Sequence, residues 1–300
     1  MSELYIGRFA PSPTGPLHFG SLVSALASYL DARAVNGRWL VRIEDIDPPR
    51  EVPGAADMIL GQLEQHGLEW DAPVLYQSRR TDAYRAAIDA LQQAGKIYGC
   101  NCSRQRLRQL GDAYDGHCRS ANLTIDGSVA LRIVTPDDTH IEFADIFQGQ
   151  QRVDLSSTTG DFIVHRRDQL IAYQLAVSVD DGYQGITDVI RGSDLLSSTP
   201  RQWFLMQQLR LRQPRYGHIP VALNRRGQKL SKQNHARALP PSKTHETLFA
   251  ALVWLRQNPP PELRGASLVE LLSWGKSHWR RHTVPRQMAL LAQAKNEPEP

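Results

Sequence analysis

The stretch Arg8-Phe9-Ala10-Pro11-Ser12-Pro13-Thr14-Gly15-Pro16-Leu17-His18-Phe19-Gly20-Ser21 constrains the fold of this chain more than any other. Residues 5–9 have the apolar character of a short buried strand. The prolines and glycines then impose a rigid loop, and Leu22, Val23, Leu26, Tyr29 and Leu30 recur at helical spacing. A helix N-terminus carries unpaired N–H groups and the positive end of the helix dipole, so a loop that delivers His18 and Gly20 there is suited to hold a phosphate. Gly20 would let the backbone approach closely. Taken alone, the same pattern also describes an ordinary strand-to-helix connection.

The alternation continues downstream. Asn36-Gly37 ends the first helix, residues 39–43 read as a second strand, and helical spacing follows over 54–66 and 81–95, ended by Gly67 and Gly95. Strand and helix in alternation point to an α/β fold with a parallel sheet. Ligands of such sheets bind outside the carboxyl ends of the strands, so Glu44, Asp45 and Asp47 can face the same crevice as His18. Further on, Asp180-Asp181-Gly182 reads as a turn and residues 186–190 as a buried strand. Arg191 falls at its carboxyl end, placed for a ligand carboxylate or phosphate. Thr199-Pro200-Arg201-Gln202 has the order of a capping box opening a helix, and Ser267 with Glu270 has it again before a second one. Lys229-Leu230-Ser231-Lys232-Gln233 sits in a polar loop where two lysines can approach a polyphosphate.

Composition narrows the class. With 300 residues, 41% of them hydrophobic, the chain can bury a full core in one large or two modest domains. No apolar run approaches a membrane span and the first residues lack a secretory pattern, so a cytoplasmic protein without a membrane partner is expected. The net charge of +4 is unevenly spread: residues 201–300 hold 17 Lys/Arg against 5 Asp/Glu. Such a basic last third suits contact with a polyanion. Cys100, Cys102 and Cys118 lie in one polar window, and an odd number fits a disulfide framework poorly. Three thiolates and a fourth ligand make a structural zinc site. The candidates are Tyr114, His117 and Asp115, with His117 the chemical default and reduced, unligated cysteines the alternative.

Together these loops resemble one family. The Arg8-to-Gly20 stretch is similar to the first signature of class I glutamyl-tRNA synthetases, whose core is His-Ile-Gly-His. Lys229-Leu230-Ser231-Lys232-Gln233 is similar to their Lys-Met-Ser-Lys-Ser. Val41-Arg42-Ile43-Glu44-Asp45-Ile46-Asp47, residues 161–181 and Asp188-Val189-Ile190-Arg191-Gly192 resemble the blocks between, in the right order. The departures are Ser21 for the second histidine and Gln233 for the last serine. Only 67 residues follow Gln233, too few for the family's anticodon-binding domain, and Lys229-Leu230-Ser231-Lys232-Gln233-Asn234-His235-Ala236 resembles the truncated paralogue family, the glutamyl-Q tRNA(Asp) synthetases.

The resemblance implies a Rossmann-type catalytic domain in two halves, 1–97 and 166–236. A zinc-containing insertion, 98–165, would split it, and a small basic helical region, 237–300, would follow, with no anticodon-binding domain. It implies activation of L-glutamate with ATP and Mg²⁺, independently of tRNA, and transfer to the queuosine base of tRNA(Asp). By the family pattern His18, Gly20, Lys229 and Lys232 serve ATP, with His18, Lys229 and Lys232 catalytic. Ser12 and Glu44 meet the glutamate ammonium, and Arg8, Tyr173 and Arg191 surround its side-chain carboxylate. Zinc is held by Cys100, Cys102, Tyr114 and Cys118, which replaces His117 by Tyr114. No obligate protein partner is implied. The alternatives are a shortened synthetase that still esterifies a tRNA 3′ end, a catalytically dead zinc-containing RNA-binding protein, and a small-molecule nucleotidyltransferase.

Overall fold

A computed structural model describes residues 4–230 and 237–292. The first half runs β1 (Ile6–Phe9), α1 (Phe19–Arg33), β2 (Arg38–Ile43), α2 (Ala55–Gln65), β3 (Leu75–Tyr76) and α3 (Thr81–Gln93). Next come β4 (Ile97–Cys100), α4 (Arg104–Gln109), β5 (Ala130–Ile133), β6 (His140–Asp145), β7 (Gly149–Asp154), α5 (Leu155–Thr158) and β8 (Phe162–His165). The remainder is α6 (Tyr173–Tyr183), β9 (Asp188–Gly192), α7 (Thr199–Gln208), β10 (Arg215–Ile219), β11 (Val221–Leu223), α8 (Thr244–Trp254), α9 (Leu268–His278) and β12 (Ala289–Leu291).

Strands β1, β2 and β3 pair in parallel, as do β9 and β10. The two groups meet through Thr187, whose N–H donates to the Ile6 carbonyl at 2.9 Å while its hydroxyl accepts the Ile6 N–H at 2.8 Å. Across the sheet the order is β3-β2-β1-β9-β10, with the direction of progression reversing between β1 and β9. A crevice opens at such a switch point, outside the carboxyl ends of the strands.

Strand residues alternate between faces, so each face has its own core. Trp39, Val41, Ile43 and Ile190 bury against α1, α2, α8 and α9, whereas Leu40 and Val189 bury against α3, α6 and α7. Arg8 and Arg42 share the α6 face, and an arginine at such a depth needs a carboxylate. That partner is Asp181, which corrects the expectation of a turn at Asp180-Asp181-Gly182. All three lie inside α6 with both carboxylates buried. Turn-forming residues were overridden because Arg8 and Arg42 claim Asp181, and Gln77, Arg80 and Tyr84 claim Asp180.

Between the two halves β4, β5 and β8 form an antiparallel sheet, and β6 and β7 form a hairpin. After β10, α8 and α9 share the core that contains α1. Asp31, in α1 and 1% exposed, accepts hydrogen bonds from Tyr5, Trp279 and Arg281, tying the late segment to the first helix. Ser267 and Glu270 form the expected reciprocal cap on α9. The expected cap at Thr199 does not form. Thr199 is the first residue of α7, and its hydroxyl is engaged by Arg191 instead. No helix among the described residues is long and apolar enough to cross a membrane.

Candidate active site

A cleft of ≈ 440 Å³ lies at the switch point, and its walls include Arg8, Ser12, His18, Gly20, Glu44, Tyr173, Arg191 and Lys229. His18 is the N-cap of α1, its Nδ1 accepting the Ser21 N–H at 3.2 Å. The neutral ring therefore carries its proton on Nε2. A Cβ at Gly20 would lie 3.2 Å from the imidazole, so a larger residue there would press on this cap. A turn with Gly227 at φ +73° folds the chain back along β11, with the Leu230 N–H donating to Ala222 at 2.7 Å. This turn brings Lys229 to the cleft, where its ammonium pairs with Asp194 at 2.5 Å. Ser231, Lys232 and Gln233 lie outside the described residues.

The other end is deeply buried. Arg8 makes two bonds to Asp181, at 3.2 and 3.3 Å, and Arg42 reaches Asp181 at 2.7 Å and Glu44 at 3.3 Å. Burial pushes the Asp181 carboxyl up, but Arg8 and Arg42 outweigh it and hold the group at about 2. Burial also raises Glu44, and there Arg42 and Arg8 offset it only in part. Tyr173 opens α6 at the cleft wall; burial and the neighbouring Glu44 push its hydroxyl up to about 12, so it remains a donor. Arg191 is 5% exposed and faces no carboxylate among the described residues. Sequence reasoning missed Arg42, Asp181, Asp145 and His218. A charged residue inside the apolar run of β2 was the one available signal, for Arg42.

Remote from the cleft, the sulfurs of Cys100, Cys102 and Cys118 lie within 4.8 Å of one another, a group able to hold a metal ion. The Tyr114 oxygen is 3.6 Å from the Cys100 sulfur and 3.3 Å from that of Cys102, and the Cys102 and Cys118 sulfurs are 3.5 Å apart. A tetrahedral zinc centre with metal–sulfur bonds of about 2.3 Å separates its ligand atoms by about 3.5–3.8 Å, so this donor set fits. Burial raises the Cys100 thiol, but Arg132 and the Cys102 N–H donate to it and bring it down to about 7, favouring the ligating thiolate. The loop is fixed where Gly160, at φ +63°, meets Tyr114; a Cβ there would sit 2.1 Å from the Tyr114 carbonyl. His117 is exposed, outside the cluster.

These features match a known class. A family model described as tRNA synthetases class I (E and Q), catalytic domain, covers residues 6–247. A glutamate tRNA ligase crystal structure from Elizabethkingia meningosepticum, in complex with its amino acid, superposes with a TM-score of 0.81 at 24% identity, covering 98% of this chain and 68% of that one. That likeness concerns the fold. A relative from Serratia proteamaculans named Glutamyl-Q tRNA(Asp) synthetase is 54% identical over 95% of this chain and 94% of its own length. A Pseudomonas aeruginosa protein of the same name is 50% identical over 95% and 97%. The chain belongs to the glutamyl-Q tRNA(Asp) synthetase family of class I tRNA synthetases.

Proposed function

We infer that this protein activates L-glutamate with ATP and transfers it to the queuosine base of tRNA(Asp), acting in the cytoplasm. The observation that carries the reading is that one cleft is lined both by His18, Gly20 and Lys229 and by Glu44, Tyr173 and Arg191. An oxygen of the glutamate α-carboxylate attacks the ATP α-phosphorus in line, and pyrophosphate leaves. A nucleophile on the queuosine base then attacks the carbonyl of the mixed anhydride and releases AMP. Both steps depend on positioning and on stabilising negative charge.

In this mechanism His18 donates from Nε2 to a phosphate oxygen, and Lys229 and Lys232 neutralise the departing pyrophosphate, with Mg²⁺ entering as part of MgATP. Glu44 and Ser12 receive the ammonium group. A docking ammonium offsets the burial that raises Glu44, so the charge that binds substrate is completed by it. Arg8, Tyr173 and Arg191 surround the side-chain carboxylate. Glutamine cannot repay a buried arginine, which is the basis of selectivity. Cys100, Cys102, Tyr114 and Cys118 would hold zinc, which braces the 98–165 insertion; phenolate ligation is favoured because a bound cation lowers the phenol pKa.

ATP–pyrophosphate exchange without tRNA, followed by glutamate transfer to tRNA(Asp) with and without queuosine, tests the assignment. Glutamate-dependent exchange and queuosine-dependent transfer are expected. Transfer to queuosine-free tRNA would restore the 3′-end reading. Zinc content separates the fourth ligands: Tyr114→Ala should lower it and His117→Ala should not.

A further inference from the structure

Arg191 differs from the other buried arginines of the cleft in how its charge is held. Arg8 is paired directly with Asp181, a carboxylate it shares with Arg42. Arg191 instead donates from Nε to the Nε2 of His218 at 3.0 Å, and from Nη2 to the Thr199 hydroxyl at 2.8 Å and the Leu195 carbonyl at 3.3 Å. Its Nη1 has no partner among the described residues. The guanidinium also lies over the Tyr216 ring, 5.3 Å from its centre.

For His218 Nε2 to accept, the ring must be neutral with its proton on Nδ1. Asp145 secures that tautomer: its Oδ2 lies 2.5 Å from Nδ1, and both side chains are fully buried. Asp145 is itself fixed by the N–H groups of Phe147, Gln148 and His218, at 3.0, 2.9 and 3.1 Å. Burial, with Arg191 adding to it, lowers His218 to about 4 against the pull of Asp145, which agrees with a neutral ring. A carboxylate touching Arg191 directly would compete with a substrate carboxylate. An imidazole interposed between them orients the guanidinium and leaves its charge available.

We propose that Asp145 and His218, together with Thr199, are positioning residues that lock Arg191 so that Nη1 faces an acidic amino-acid side chain, and that discrimination of glutamate from glutamine depends on them. The proposal rests on the assignment of Arg191 to the side-chain carboxylate. It also gives the 98–165 segment a part in amino-acid selection, because Asp145 ends β6.

Pyrophosphate exchange with glutamate and with glutamine, measured on the intact protein and on His218→Ala, His218→Gln, Asp145→Asn and Arg191→Ala, tests it. His218→Ala should raise the glutamate KM by about tenfold or more and narrow the glutamate preference, with kcat and the ATP KM within about threefold. Gln places an acceptor near the position of Nε2, so His218→Gln should recover most of the loss. Asp145→Asn keeps its size but lets the ring carry a proton on Nε2, donor against donor with Arg191, and should resemble His218→Ala. A merely structural role would move stability, kcat and both KM values together. Unchanged glutamate KM in folded His218→Ala and Asp145→Asn, with Arg191→Ala impaired, overturns the relay alone. Unchanged KM in Arg191→Ala overturns the side-chain reading beneath it. Should His218→Ala not fold, indistinguishable Asp145→Asn and His218→Gln would overturn the relay.

Discussion

The two ends of the cleft handle charge in opposite ways. At the end proposed to take the amino acid, Arg42 and His218 are 0% exposed and Arg191 5%, each wired to partners before any ligand arrives. At the end proposed to take phosphate, Lys229 has a 44% exposed side chain and pairs with an Asp194 side chain 33% exposed. The chemistry explains the difference. Telling glutamate from glutamine means reading one charge, which needs a desolvated, pre-oriented countercharge. A triphosphate carries several charges and is held by donors that remain in water.

The largest effect should come from breaking the wiring at the buried end. Asp181→Asn leaves Arg8 and Arg42 without their shared carboxylate and should cost about 3–5 kcal/mol in thermal or denaturant unfolding. Asp194→Asn, at the exposed end, should cost about 0–1 kcal/mol. The pH dependence has a defined sign. Asp181 titrates at about 2 in the folded chain against 3.8 for an ordinary aspartate, so its contribution is present above 3.8 and lost as pH falls from there toward 2. Equal losses in the two variants would erase the contrast.

A kinetic split should follow next. Lys229→Ala removes the cation proposed to meet charge developing on the leaving group, so kcat for exchange should fall by about 10- to 100-fold. The glutamate KM should stay within about twofold, because Lys229 pairs with Asp194, which is not among the groups proposed to hold the amino acid. A parallel rise in the glutamate KM would mean that the two ends cannot be treated separately.

How much of this was legible in the sequence follows the same division. The phosphate end is built from local signals: the loop before α1, His18 at the helix cap, Gly20 beside it and the turn at Gly227 all act within a few residues. The buried end is built from distant ones. Asp180-Asp181-Gly182 has turn chemistry, and only the arginines of β1 and β2 explain why it is helical. Thr199 has the form of a cap, yet its hydroxyl serves Arg191, eight residues earlier. Asp145 and His218 are separated by 73 residues, and no periodicity pairs them. The alternation of strand with helix revealed the parallel sheet, and with it the crevice. It could not reveal which charged residues the two faces had to neutralise.

The smallest effect is a pH limb that should appear at one end only. Burial raises Glu44 above the ordinary 4.5, with Arg42 and Arg8 opposing the rise. A glutamate ammonium placed against it favours the charged form, so binding lowers this pKa and protonation competes with binding. As pH falls through the Glu44 pKa of the free protein, the glutamate KM should rise, approaching about tenfold per pH unit for a single proton. The ATP KM should lack this limb, since the groups proposed to face phosphate are His18, Gly20 and Lys229 and do not include Glu44. Glu44→Gln should raise the glutamate KM at neutral pH and abolish the limb. If the limb persists in that variant, or appears equally in the ATP KM, Glu44 does not meet the ammonium, and the contrast between a buried reading end and an open phosphate end loses its kinetic support.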